Sequence, residues 1–394
     1  LSGKLAVGVV FGGRSAEHQV SIVSARSVIN ALDTRKYNII PIGITPNGQW
    51  VGGEQALHML EYGSCSDVSP VFLPADPTVR QLLSIDQVQP VLHSLDVMFP
   101  VLHGPYGEDG SIQGLFDLID IPYVGAGVPG SAVAMDKVLQ KQVCRESGLP
   151  TTAFLWLREA DWRVQDIARE QPLLRNQLAN LSQPQMLDTI EMHLGMPVFI
   201  KPANLGSSVG ITKAHAQDEL EEGINLAFSY DRKLLIEMTV PNTREIEVAV
   251  LGNEHPKAAI PGEIVPSNEF YDYDAKYVDG ASDIFIPADL PEMTVQALQI
   301  AALKGVSAVN VEGMARVDFL VNSETLDFFL NEINTIPGFT SISMYPKMWE
   351  ASGLSYPNLL DELISLALDR QAKKQSLNTK YQPKTNWHVS SSNK

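Results

Sequence analysis

Short apolar runs alternate with amphipathic stretches along this chain, a pattern that predicts strands interleaved with helices. Residues 4–11 (KLAVGVVF) are apolar and β-branched and stop at Gly12–Gly13, which predicts a strand and a turn. A helical pattern from about Ser21 to Leu32 follows, then apolar runs at 38–45 (NIIPIGIT) and 95–102 (LDVMFPVL). Strand alternating with helix predicts an open parallel α/β sheet, closed by a strand at 121–125 (IPYVG). A helix then begins near Met135, Asp136 and Lys137. Residues 157–195 have no clear period and read as one or two helices joined by loop. The strand 196–202 (MPVFIKP), a glycine- and serine-rich turn, a strand at 209–213, a helix around 217–230 and a strand at 234–240 form a small α+β unit. Period-two alternation at 244–252 (REIEVAVLG) opens a third unit. There a long aromatic loop (SNEFYDYDAKYVDGAS), a helix at 292–308, strands at 314–321 and 326–334, and helices at 343–352 and 357–373 follow in turn. The expected units are 1–133, 134–240 and 241–375, with a polar, disordered tail at 376–394.

Composition narrows the function classes. The 394 residues, 44% hydrophobic and 19% charged, suffice for two or three domains. No run of eighteen apolar residues exists, and the N-terminal apolar run is too short for a signal-peptide core, so no membrane span or leader is expected. Two distant cysteines, Cys65 and Cys144, form no metal-ligand pattern or disulfide framework and point to a reducing cytoplasm. A net charge of −17 argues against nucleic acid or anionic membrane as the partner, though a local basic cluster can still bind an anionic small substrate.

Five segments carry candidate chemistry. Side chains alternate along a strand, so Arg316 and Asp318 share one face, and Glu332 and Asn334 share a face of the next strand. If the two strands pair, one arginine and three oxygen ligands converge, a set suited to Mg²⁺; the alternative is a surface salt-bridge ladder. The segment KPANLGSSVG at 201–210 sets Lys201 before a loop whose backbone N–H groups, with Ser207 and Ser208, can cradle phosphate, or it is a plain glycine-rich turn. In LIEMTVPNTREIEV, Glu237 ends a strand and Glu245 follows a short linker, which fits either an adenine and ribose site or a domain hinge. The run FGGRSAEHQVS lacks the G-x-G-x-x-G fingerprint of dinucleotide enzymes, and it places Glu17 at the carboxyl end of the first strand, where α/β sheets bind ligands. There Glu17 is either an ammonium-binding carboxylate or a helix N-terminal acid. Finally, LHGPYGEDGSIQG sets His103 and Glu108 after another strand end, with Ser111 a candidate helix cap.

In this order the segments GGRSAEHQVS, LHGPYGEDG, MDK, KPANLGSSVG, REIEVAVLG, EFYDYDAKY, GMARVDF and NEINTIPGFTSIS resemble the D-alanine–D-alanine ligase family of ATP-grasp enzymes, from about residue 4 to 370. The stretch 161–192 looks longer than that family needs, and the tail extends beyond it. The resemblance implies an N-terminal α/β domain, a small central α+β domain and a larger C-terminal α+β domain, with ATP between the last two. It implies that Lys137 and Lys201 contact phosphates, that Glu237 and Glu245 hold adenine and ribose, and that Phe270 and Lys276 lie in a closing loop. Asp318, Glu332 and Asn334 would bind two Mg²⁺ or Mn²⁺; the need for a monovalent cation stays open. Glu17 would anchor the first D-alanine's ammonium in a triad with Ser207 and Tyr277. His103 and Glu108 would line that pocket, and Ser343 and Met344 would hold the second substrate. The implied reaction makes an acylphosphate from ATP and one D-alanine, then joins the second, with Arg316 and the N–H of Gly338 stabilising the oxyanion. Closure of loop 267–282 would keep the intermediate dry. Tyr277 stands where depsipeptide-forming relatives carry histidine, which favours the dipeptide. The family also implies a homodimer. Rival readings are a different ATP-grasp ligase and a silent binding module, the latter disfavoured by the intact set Arg316, Asp318, Glu332 and Asn334.

Overall fold

The computed structural model describes residues 3–63, 68–85, 91–163, 178, 181–265 and 283–378. The expected loop residues Phe270, Lys276 and Tyr277 and most of the polar tail lie outside them. Three sheets organise the described residues.

The first contains β1 (Leu5–Gly12), β2 (Tyr37–Ile44), β3 (Trp50–Gly52), β4 (Ser69–Phe72), β5 (Gln81–Ser84), β6 (Val91–Ser94) and β7 (Val97–Val101), ordered β6-β5-β4-β3-β2-β1-β7. The expected parallel sheet is its core: β1 pairs in parallel with β2 and β7. The other four strands extend that core in antiparallel fashion. The link from β2 to β3 is too short for the crossover that a parallel neighbour needs, so the chain turns back. Residues 121–125 contribute an isolated bridge, Met98 to Tyr123, in place of a full closing strand. Because β1 and β7 are parallel neighbours, the loops after Gly12 and Val101 emerge side by side at the carboxyl end. Helix α1 (His18–Ala31) buries Ile22, Ala25 and Val28 against this sheet.

After α2 (Ala56–Tyr62) and α3 (Ser111–Leu118), helices α4 (Val128–Met135) and α5 (Lys137–Glu146) lead out of the first sheet. Helix α4 spans the expected boundary at 133/134, and Ala134 and Cys144 pack into the core of the third sheet. Asp136 makes the break between the two helices, accepting the N–H groups of Val138 and Leu139 at 3.1 Å each.

The second sheet, ordered β10-β9-β11-β8, is antiparallel throughout: β8 (Phe154–Arg158), β9 (Val198–Pro202), β10 (Thr212–Ala214) and β11 (Lys233–Met238). Helices α6 (Glu159–Arg163), α7 (Gln183–Leu194) and α8 (Gln217–Ala227) accompany it. Alternation divides its strands. Val198, Ile200, Leu234 and Ile236 enter the core beneath the helices. Phe199, Lys201, Leu235 and Glu237 therefore face the other way.

The third sheet runs β15-β14-β12-β16-β17, with β13 also on β12. Its strands are β12 (Thr243–Gly252), β13 (Lys257–Ala258), β14 (Gly262–Val265), β15 (Asp283–Phe285), β16 (Gly313–Asn322) and β17 (Phe328–Asn334). Ala315, Val317 and Phe319 of β16 and Ile246 and Val248 of β12 bury one face beneath α9 (Glu292–Ala308). The opposite face carries the polar residues of the same strands. Helices α10 (Met344–Ala351) and α11 (Tyr356–Ser376) pack into a core shared by the first and third sheets. Among the described residues no helix is long and apolar enough to cross a membrane.

Candidate active site

Glu17 occupies the N-cap position of α1, yet its side chain makes no capping bond. Its carboxylate instead accepts the hydroxyl of Ser207, from a different sheet. The space for that carboxylate is made by glycine. A Cβ at Gly104, whose φ is +74°, would lie 2.7 Å from Glu17 Oε2, and one at Gly206 would lie 2.8 Å away. The helix-acid alternative for Glu17 is thus replaced by a carboxylate enclosed between two loops. Ser111 does not cap α3, which starts at Ser111 itself. Asp109 holds the loop by accepting the N–H groups of Tyr106 and Ser111 at 2.9 Å each.

His103 and Glu108 are buried next to this point. His103 Nδ1 lies 3.0 Å from the Ile336 carbonyl and 3.6 Å from Glu108 Oε1. Its Nε2 faces the Ser24 hydroxyl at 3.3 Å, which in turn accepts the N–H of Phe339. Burial presses the His103 pKa down. The hydrogen bond and charge of Glu108, with the charge of Glu17, outweigh it and raise the pKa above the usual histidine range.

The loop after β9 carries Ser207 and Ser208 at φ +49° and +59°, followed by Gly210 at +73°. Non-glycine residues reach this region at a cost of about 1–2 kcal/mol each. Asp231 anchors the loop through the N–H and amide of Asn204, at 2.8 and 3.0 Å. Lys137 donates to the Leu205 carbonyl at 2.6 Å and lies 3.5 Å from Glu332, so it ties the loop to β17.

Lys201 shares its strand face with Glu237, and the two pair directly. Lys201 also reaches the side-chain carbonyl of Asn331 at 3.2 Å. Glu237 is 1% exposed and also takes Lys141 at 2.9 Å and the Thr152 hydroxyl at 2.6 Å. Burial opposes ionisation of Glu237, but Lys141 and Lys201 overcome it and hold the carboxyl well below the usual range. Burial pushes Lys141 down against the pull of Glu237. Glu237, expected at adenine and ribose, lines the larger cavity while its carboxylate is paired with two lysines and a threonine. Its Oε1 faces Lys201.

The predicted convergence on β16 and β17 is present in register, with Arg316 opposite Asn334 and Asp318 opposite Glu332. Beyond that pair the register slips and Phe319 meets Leu330, leaving Asn331 as the extra residue of a β-bulge. That bulge brings Asn331 to Lys201. Arg316 grips Asp318 with two hydrogen bonds, 2.7 and 2.6 Å, and lies 3.2 Å from Glu247 on β12. Burial disfavours the Arg316 charge, but Asp318 and Glu247 raise its pKa well above the ordinary arginine value. Among the described residues no three His, Cys, Asp or Glu side chains gather as a metal cage. Two carboxylates and the Asn334 amide are hard oxygen donors, and they fit a divalent cation whose other ligands are phosphate and water.

Gly338, Thr340 and Ser343 complete the wall. The Ser343 hydroxyl accepts the Thr340 N–H at 3.0 Å and stands 2.8 Å from the Thr340 hydroxyl. A Cβ on Gly338 would meet that oxygen at 2.6 Å. Ser343 is the N-cap residue of α10, so the amino end of that helix, which favours anions, opens here.

Two cavities meet across these residues and share Lys137, Ser207 and Glu332. The smaller, about 190 Å³, is lined by Glu17, His103 and Glu108 of the first sheet's loops and by Arg316 and Asn334 of the third sheet. Gly338, Ser343 and Met344 close it. The larger, about 730 Å³, is lined by Lys201, Ser208, Glu237 and Glu245, with Phe199 and Lys213. Asp318 lines neither; it faces a space of about 30 Å³ with Glu247, Arg316 and Glu332. Sequence reading passed over Glu247, Lys141, Asn331 and Ser24. Two of these had a signal: Glu247 alternates with Glu245, and Lys141 lies one helical turn beyond Lys137.

Residues 6–126 match the family model for the D-ala D-ala ligase N-terminus, and residues 143–365 match that for the C-terminus. A D-alanine--D-alanine ligase of Thermoanaerobacter sp. (strain X514) is 48% identical over 373 residues, covering 94% of this chain and 98% of the relative. One from Natranaerobius thermophilus is 45% identical over 380 residues, covering 96% and 99%. The solved D-alanine-D-alanine ligase from Coxiella burnetii is 38% identical with a TM-score of 0.76, covering 94% of this chain and 96% of its own. The VanG D-Ala:D-Ser ligase from Enterococcus faecalis is 34% identical with a TM-score of 0.79, covering 93% and 100%. The chain therefore belongs to the D-alanine–D-alanine ligase family.

Proposed function

We propose that this chain joins two D-alanines into D-alanyl-D-alanine at the expense of ATP, supplying peptidoglycan precursor synthesis in the cytoplasm. The observation that carries this reading is the junction of the two cavities at Lys137, Ser207 and Glu332. A chamber sized for small amino acids opens there onto one of nucleotide size. In the reading, Lys137, Lys201 and the N–H groups around Ser207 and Ser208 bind the polyphosphate, and Glu237 and Glu245 hold adenine and ribose. Glu17, fixed by Ser207, holds the first D-alanine's ammonium. That substrate's carboxylate oxygen attacks the γ-phosphorus, and ADP leaves. The second D-alanine, its carboxylate held by Ser343 and the start of α10, attacks the acyl carbon with its amine. Arg316 and the Gly338 N–H stabilise the oxyanion, and phosphate departs with the oxygen it gained. Asp318, Glu332 and Asn334 would hold Mg²⁺ or Mn²⁺, which draws charge off the phosphates. The division into units at 133/134 and 240/241, and a homodimeric state, belong to the same reading.

Carboxyl-¹⁸O-labelled D-alanine tests the acylphosphate. One label per turnover in the released phosphate is expected. Phosphate free of label would refute that step.

A further inference from the structure

Lys141 is 1% exposed, lines neither cavity and has no part in the reaction as read above. Its ammonium is fully engaged inside the protein. It lies 2.9 Å from Glu237 Oε2, 3.1 Å from the Thr152 hydroxyl and 3.2 Å from the Leu330 carbonyl. Thr152 in turn donates to the same Oε2. One carboxylate thus serves two lysines. Oε2 is taken by Lys141 and Thr152, and Oε1 is left to Lys201. A single lysine would balance Glu237, and burying a second is costly unless its charge does something. What it does follows from the geometry. Lys201 is confined to one oxygen and repelled from behind, so its ammonium stays at the cavity wall beside Asn331.

We propose that Lys141 is a positioning residue for nucleotide binding, acting through Glu237 to hold the Lys201 ammonium out at the larger cavity. The inference rests on the reading of Lys201 as a phosphate contact. Without the charge of Lys141, Glu237 and Lys201 form a neutral pair and Lys201 is drawn inward.

The test is a double-mutant cycle of Lys141→Met and Lys201→Met, measuring kcat and the KM for ATP at saturating D-alanine. Lys141→Met raises the KM for ATP about tenfold, the order of coupling between charged neighbours, with kcat within about threefold. The double variant is no worse than Lys201→Met alone, because Lys141 works through Lys201. If Lys141→Met does not fold, Lys141→Gln, which keeps a donor and loses the charge, runs the same cycle. An unchanged KM in the Lys141 variant, or additive effects in the double, overturns the inference while leaving Lys201 as a phosphate contact. An unchanged KM in Lys201→Met overturns that reading and the inference with it.

Discussion

Arg316→Ala separates the charge balance of the site from its chemistry. Arg316 gives two hydrogen bonds to Asp318 and one ion pair to Glu247, and those carboxylates stand opposite each other in register on β16 and β12. The Arg316 side chain is 17% exposed, so its loss strands two nearly buried carboxylates. Breaking such a cluster costs about 3 kcal/mol, the low end for a fully buried pair. At roughly 1–2 °C per kcal/mol for a chain of this length, the melting temperature falls by roughly 3–6 °C. Removing a donor to the oxyanion costs a further factor of about 10²–10³ in kcat. Arg316→Lys restores the charge without the planar fork, so it recovers much of the melting temperature but little of the turnover. Thermal melting, ADP release at saturating substrates and calorimetric ATP binding give the three readouts. Turnover within about threefold of wild type in Arg316→Ala, with the melting temperature lowered, would leave Arg316 a purely structural cation. An unchanged melting temperature would refute the charge-balance argument.

Three other outcomes follow from the geometry. Gly338→Ala drives a Cβ to 2.6 Å from the Ser343 hydroxyl and costs about 1–3 kcal/mol, which Ser343→Ala in the same chain relieves without restoring turnover; melting of the two singles and the double decides it. The raised pKa of His103 stabilises the fold fully below pH about 6.5, and that contribution fades as pH rises through the folded-state pKa, so the melting-temperature gap between wild type and His103→Gln narrows in alkaline buffer. The lowered pKa of Glu237 has the opposite sign: its advantage over Glu237→Gln is complete above about pH 4 and shrinks below it, and a gap that is flat with pH contradicts the ion cluster.

The strands and helices that position the site were legible because their periods are strong. Helix α9 at 292–308 and the alternation that brings Arg316 and Asp318 to Glu332 and Asn334 both follow from the sequence. The antiparallel extension of the first sheet was not, because β3 to β6 are only three or four residues long, too short for a period. The partner of a buried charge was not legible either. Alternation shows which face Glu237 takes, but not that Lys141 arrives from a helix ninety-six positions earlier in the chain (237 minus 141). The bulge that turns Asn331 toward Lys201 breaks the very period by which faces are read. Alternation left Arg316 and Asp318 open as either a metal-side constellation or a salt-bridge ladder, and the geometry shows the direct pairing of the two.

Product identification tests the central claim most directly. ADP release is followed with D-alanine alone, then with D-alanine plus D-serine or D-lactate, and products are resolved by mass spectrometry. The account predicts D-alanine-dependent turnover with D-alanyl-D-alanine as the main product in every mixture. A mixed dipeptide or a depsipeptide as the main product, or no turnover in a protein that still binds ATP, would contradict it.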